Sequence, residues 1–122
     1  MISHLARAGL LALICVGFVP TTASARTPYD GAWSVLIVTQ RGTCDRAYRY
    51  GIQIVNGNVV YDGGIVNMSG RVASNGAVRV TVSSGSAQAN GAGRLSRSAG
   101  RGSWSGRSGS EACSGYWEAE RR

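Results

Sequence analysis

A turn signal interrupts this chain about every ten residues, and no stretch between turns carries a helical period. Asn56-Gly57 stands between Ile54-Val55 and Val59-Val60, Asp62-Gly63-Gly64 follows, and then come Ser74-Asn75-Gly76, Ser84-Gly85, Ser98-Ala99-Gly100 and Ser108-Gly109-Ser110. Asn-Gly between two apolar runs is a two-residue hairpin turn, because both central residues must take positive φ. Between turns the residues alternate. Trp33, Val35, Ile37 and Thr39 share one face of the first strand, and Leu36 and Val38 on the other suggest cover from both sides. Tyr48, Tyr50, Ile52 and Ile54 share a face of the second. Met68 and Val72 follow in a strand over 65–73, and Val78, Val80 and Val82 alternate with Arg79, Thr81 and Ser83. The stretch Ala87–Leu95 offers only alanine, glycine and Leu95 on its inward side.

These spacings predict an all-β chain: a single antiparallel up-and-down meander of about eight short strands, curled into a small barrel. Closure removes the exposed edges that such a meander would otherwise present. A repeated phrase, glycine–any–tryptophan, marks where it closes. It occurs as Gly31-Ala32-Trp33, Gly102-Ser103-Trp104 and Gly115-Tyr116-Trp117, and holds all three tryptophans. Residues two apart share a strand face, so each glycine leaves a bare spot that a large side chain from a neighbouring strand can cover. With first and last strands adjacent, the three indoles form one cluster.

The N-terminus reads as a signal peptide over residues 1–25. His4 and Arg7 precede the apolar run Leu10–Val16, and Ala23-Ser24-Ala25 fits a cleavage site. The run is too short to span a membrane. Residues 26–122 then form a single β domain, expected in the periplasm or outside the cell, and lack the chain's one histidine. Two cysteines remain there, Cys44 and Cys113, and in an exported chain a disulfide is the default. A catalytic thiol is the alternative reading.

Residues 26–122 carry twelve arginines, six carboxylates and no lysine, within a whole-chain formal charge of +7. Such a balance points to anionic company, or simply to arginine keeping a glycine-rich sheet soluble. Arg94, Arg97, Arg101 and Arg107 crowd the segment around Trp104 and are the candidate anion-binding group. Arg41, Asp45 and Arg46 beside Cys44 are a candidate recognition loop. If Trp104 were exposed among those arginines, single-stranded nucleic acid would fit; if it is buried, they form an outer face.

For catalysis the inventory is poor. Without histidine or lysine, neither a histidine-assisted nucleophile nor a lysine base is available in 26–122. Glu118 and Glu120 share a face about 7 Å apart, a distance a glycosidase pair could use, but they read better as a solvated face beside Arg121 or Arg122. No metal-loop spacing occurs. Haem would need a tyrosine or Met68 as axial ligand, whereas strand tyrosines usually serve cross-strand packing. No catalytic residue, metal or cofactor is assigned.

Tyr29-Asp30-Gly31-Ala32-Trp33, Gly42-Thr43-Cys44-Asp45, Tyr48-Arg49-Tyr50 and Cys113-Ser114-Gly115-Tyr116-Trp117, behind a leader, resemble a group of small exported alphaproteobacterial proteins of the rhizobial type. That group, largely uncharacterised, implies no catalytic or binding residues. More distantly, the opening Gly-x-Trp is similar to that of calycin and avidin-like barrels, which implies only the barrel. The expected function is a non-enzymatic binding or interaction module of the cell envelope, its partner an envelope protein or a polyanion such as nucleic acid or acidic polysaccharide. A small hydrolase using Glu118 or Glu120 and a carrier of apolar ligands are the lesser alternatives. The carrier requires a hollow barrel.

Overall fold

The computed structural model describes residues 26–122; the signal peptide expected over 1–25 lies outside them. Eight strands follow one another: β1 (Gly31–Arg41), β2 (Ala47–Val55), β3 (Asn58–Val60), β4 (Asn67–Val72), β5 (Ala77–Ser84), β6 (Ala87–Leu95), β7 (Ala99–Ser108) and β8 (Glu111–Arg121). Each pairs antiparallel with the next, and β8 returns to β1, so the sheet is a closed barrel. The turn at Asn56-Gly57 has φ of 52° and 82°, the left-handed pair that a tight hairpin demands. β4 begins two residues later than the sequence pattern suggests, because β3 is only three residues long and pairs with β4 at two positions. Residues 61–66 cross the remaining gap as a loop.

Closure rests on the repeated phrase. Strands β7 and β8 pair so that Trp104 lies opposite Gly115 and Gly102 opposite Trp117. Each indole therefore crosses the glycine of the other phrase. Trp104 passes over Gly115 and donates from Nε1 to the Val38 carbonyl of β1 at 3.0 Å. Trp117 leans the opposite way over Gly102 and Gly93, where an added Cβ would lie 2.6 and 2.5 Å from its ring. A side chain at either glycine would collide with the indole. Trp33 and Trp117 are buried, and Trp104 packs against the same core while remaining half-buried.

The outer side of β1 is half-buried, but among the described residues no second layer lies over it. Its outward Leu36 and Val38 are flanked by Arg49 and Glu118 and by Ala47 and Tyr116 from the adjacent strands.

One end of the barrel is sealed. The segment Thr27–Asp30 runs into β1, with Tyr29 packed against the core and its carbonyl accepting from Trp33 Nε1 at 2.8 Å. The Asp30 carboxylate accepts from Thr27 Oγ1 at 2.6 Å, from Asn56 N at 2.7 Å and from Gly57 N at 3.1 Å. It therefore ties the entering chain to the tip of the β2–β3 hairpin. Arg121 of β8 lays its guanidinium 4.8 Å from the Trp33 ring centroid. It also donates to the carbonyls of Arg97, Asp30 and Pro28 at 2.7, 2.7 and 2.5 Å. The pairing of Arg121 with Glu118 or Glu120 expected from sequence gives way to this latch, because the three carbonyls and an indole face offer its fork better directed partners.

Two predictions follow from closure and from the sealed end. Gly102→Val lowers unfolding free energy by about 1–3 kcal/mol through overpacking. Ser103→Ala, one residue on and facing solvent, changes it by under about 0.5 kcal/mol; urea denaturation checks both. The hydrogen bond from Thr27, then those from Asn56 and Gly57, hold the Asp30 carboxyl below its ordinary value of 3.8 against the opposing effect of burial. Its contribution is present above that value and lost as pH falls through the lowered one. Asp30→Asn is less stable than wild type at neutral pH, and the gap narrows in urea melts taken below the ordinary carboxylate range.

Candidate functional site: a hollow barrel with one open end

The strands divide their inward residues unevenly. β1, β2 and β8 contribute Trp33, Val35, Ile37, Tyr48, Tyr50, Ile52, Ile54 and Trp117. β6 contributes Ala87, Ala89, Gly91, Gly93 and Leu95, and β7 alternates Gly102, Trp104 and Gly106. Large side chains on one half and small ones on the other cannot meet across the middle. What remains is a cavity of about 550 Å³ inside the barrel.

Its floor is the buried core: Trp33, Ile54, Leu95, Trp117 and Ala119. Its walls are aliphatic and aromatic, with Val35, Ile37, Met68, Val80, Ala89 and Trp104. Among the described residues no polar or charged side chain is fully buried. At the other end Thr43, Asp45, Ser84, Gln88, Arg107 and Ser108 form a polar rim. Exposure rises in that direction to 53 % at Tyr48, so the cavity opens there.

Three tyrosines line or border the side where β3 stops short. Tyr48 and Tyr50 meet edge to face at 4.7 Å between centroids, and Tyr50 meets Tyr61 likewise at 5.3 Å. Burial pushes the Tyr50 phenol above its ordinary value, with Tyr48, Tyr61 and Asp45 adding to the effect. The packing runs along β2 and onto the 61–66 loop rather than between paired strands, so it differs from the cross-strand packing expected of strand tyrosines.

The mouth is braced rather than loose. Cys44 and Cys113 form the disulfide, 69 residues apart in sequence. Thr39 donates to the Asp45 carbonyl at 2.6 Å and from its backbone N to the Arg46 carbonyl at 2.9 Å. Thr43 N reaches Glu111 Oε2 at 3.3 Å. Of the candidate recognition loop, Asp45 lies on the cavity rim, while Arg41 and Arg46 are exposed beside it.

The candidate anion-binding group is split. Arg94 and Arg101 are directly opposed on β6 and β7 near the sealed end, and Arg97 lies in the turn between them. Arg107 sits at the mouth, opposite Gln88 and six residues along β7 from Arg101, about 20 Å away. Trp104 points inward, so these arginines stand on the outer wall without it. Glu118 and Glu120 are exposed on the outside of β8, opposite Arg101 and Ala99, and neither lines the cavity. Sequence reasoning missed Asp30 and Arg121. An Asp before a strand and an Arg at its end carry no local signal of the partners that the topology brings to them.

The disulfide fits an oxidising, extracytoplasmic location. Closing a loop of this length contributes about 4 kcal/mol in the chain-entropy account. The double variant Cys44→Ser/Cys113→Ser loses about that much in urea denaturation, while retaining the near-ultraviolet signature of its packed tryptophans.

Comparison of the chain with protein families, with curated proteins and with solved structures finds no match.

Proposed function

We propose that this chain is an exported, non-enzymatic binding module of the cell envelope, periplasmic or secreted, whose hollow barrel takes one small apolar molecule through its braced mouth. The observation that carries this reading is the cavity. An eight-stranded barrel has room for its own side chains or for one small ligand. Here the alanines and glycines of β6 and β7 leave about 550 Å³ unfilled, inside the range of roughly 300–1,000 Å³ typical of ligand pockets. Apolar walls without a buried charge favour a hydrocarbon-rich ligand, and the rim from Thr43 to Asp45 and at Ser84 and Ser108 suits one polar end left in water. A leader over 1–25 and a disulfide support export. Among the functions weighed from sequence, the cavity raises the apolar carrier above a module that binds only through its loops.

N-phenyl-1-naphthylamine, an apolar fluorophore, tests the reading. Its emission rises on mixing with the oxidised protein and saturates at one equivalent, with quenching of tryptophan fluorescence from Trp104 at the wall. Ala89→Phe fills the cavity from β6 and weakens the probe by about tenfold or more, a change of about 1.4 kcal/mol or more, with no loss of melting temperature. Equal binding by wild type and Ala89→Phe places the probe elsewhere and removes the support for a carrier.

A further inference from the structure

The net formal charge of residues 26–122 comes from one half of the barrel. From Gly63 to Ser110 there are six arginines, at 71, 79, 94, 97, 101 and 107, and no aspartate or glutamate. The other six arginines and all six carboxylates lie outside that stretch and cancel formally. Strands β4 to β7, with the β6–β7 turn that carries Arg97, thus hold the whole excess on consecutive staves of the wall.

The register gathers it further. Arg71 stands directly opposite Arg79 across β4 and β5, and Arg94 directly opposite Arg101 across β6 and β7. Arg79 faces Ala92, which makes Arg94 its diagonal neighbour on the same outward face. Four guanidinium groups therefore form a band across four strands, about 15 Å wide at the usual strand spacing. Like charges directly opposed destabilise a sheet, and this band opposes them twice. Arg71 donates to Asn58 Oδ1 at 2.7 Å and Arg94 to the Asn75 carbonyl at 3.1 Å. Those neutral acceptors orient the guanidinium groups without neutralising them, and each bond uses one of a guanidinium's five donors. The band ends at β8, where Glu118 stands opposite Arg101.

The rest of this wall narrows the choice of partner. Its outward residues include Ser69, Thr81, Asn90, Ser103 and Ser105, all small and hydrogen-bonding. None of the exposed large hydrophobic residues Tyr48, Val55, Val60, Ile65 and Tyr116 lies on β4 to β7. Single-stranded nucleic acid is held on aromatic platforms, and a lipid surface takes up apolar side chains; this face offers neither. A band wrapped around half of a convex barrel is too long for one small anion and suits a flexible chain that carries a charge at each repeat.

We infer that the outer wall of β4 to β7 binds an acidic polysaccharide along the band Arg71, Arg79, Arg94 and Arg101, independently of the cavity. Carboxylates of successive sugars meet the guanidinium groups, and sugar hydroxyls meet the serine, threonine and asparagine side chains between them.

The test uses polygalacturonate, which has one carboxylate per sugar, against the purified oxidised protein at low salt and near physiological ionic strength. Two variants with equal change of charge are compared: R71Q/R79Q/R94Q/R101Q on the band, and R26Q/R49Q/Q53E/R122Q on the other half. Wild type binds with affinity that falls steeply with salt. The band variant weakens by roughly ten- to hundredfold, and its salt slope shrinks by about one per arginine removed. The control variant stays within about threefold of wild type. Melting curves confirm that each variant is folded, and the double variant R79Q/R94Q gives an intermediate loss if the quadruple one is not. Equal weakening by both quadruple variants reduces the effect to net charge and overturns the assignment. So does binding by neither protein, and so does tighter binding of an oligothymidylate or of anionic vesicles than of polygalacturonate. Loss of fluorophore binding by Ala89→Phe leaves this result untouched, so the two readings fail separately.

Discussion

The structure depends on a side chain that two glycines lack. Antiparallel pairing of Gly102-Ser103-Trp104 with Gly115-Tyr116-Trp117 sets each tryptophan against the other's glycine. Two large indoles then occupy one seam without colliding, each lying along the inner surface instead of projecting into the centre. One consequence is cohesion across three strands, because Trp104 on β7 reaches over β8 to the Val38 carbonyl on β1. The other is space. Trp117 lies against Gly91 and Gly93 of β6 while Trp104 turns away over β8, and the middle of the barrel is left unfilled. Closure and cavity are the same packing decision seen from two sides.

Much of this was legible in the residues. Turn chemistry at Asn56-Gly57 and the alternation of Val78, Val80 and Val82 mark strands locally, because strand periodicity and positive φ are properties of a few neighbouring residues. The joining of first and last strands could be read from Cys44 and Cys113, since a disulfide demands that those two ends meet. The bare inward side of Ala87–Leu95 was visible too. Its outcome was not, because small side chains equally allow a sheet to flatten, and only the closed circle of strands decides for a hollow.

Other features depend on register, which sequence specifies less directly. The grouping of Arg94, Arg97, Arg101 and Arg107 by proximity in the chain is divided by the register. A strand rises about 3.3 Å per residue, so Arg107 is carried to the opposite end of β7 from Arg101. Arg71 and Arg79 are far from that group in sequence yet share its level through two successive pairings. Arg121 is the same lesson at the sealed end. It is one of two arginines closing the strand, and only the pairing of Trp33 with Arg121 across β1 and β8 identifies it as the one over the indole.

The braces and the excess charge fall on different halves of the barrel, while the cavity is lined by both. The seam of β8, β1 and β2 holds the disulfide, the stacked Trp33 and Arg121, the Asp30 tether and the large inward side chains. Strand β6 and the glycines of β7 supply the small inward residues, and the outer faces of β4 to β7 carry the opposed arginines that cost stability. The half that carries repulsion on its surface is closed onto the braced seam through the pairing of β7 with β8. An unfilled interior and a wall of like charge each cost stability, so folding alone does not account for either.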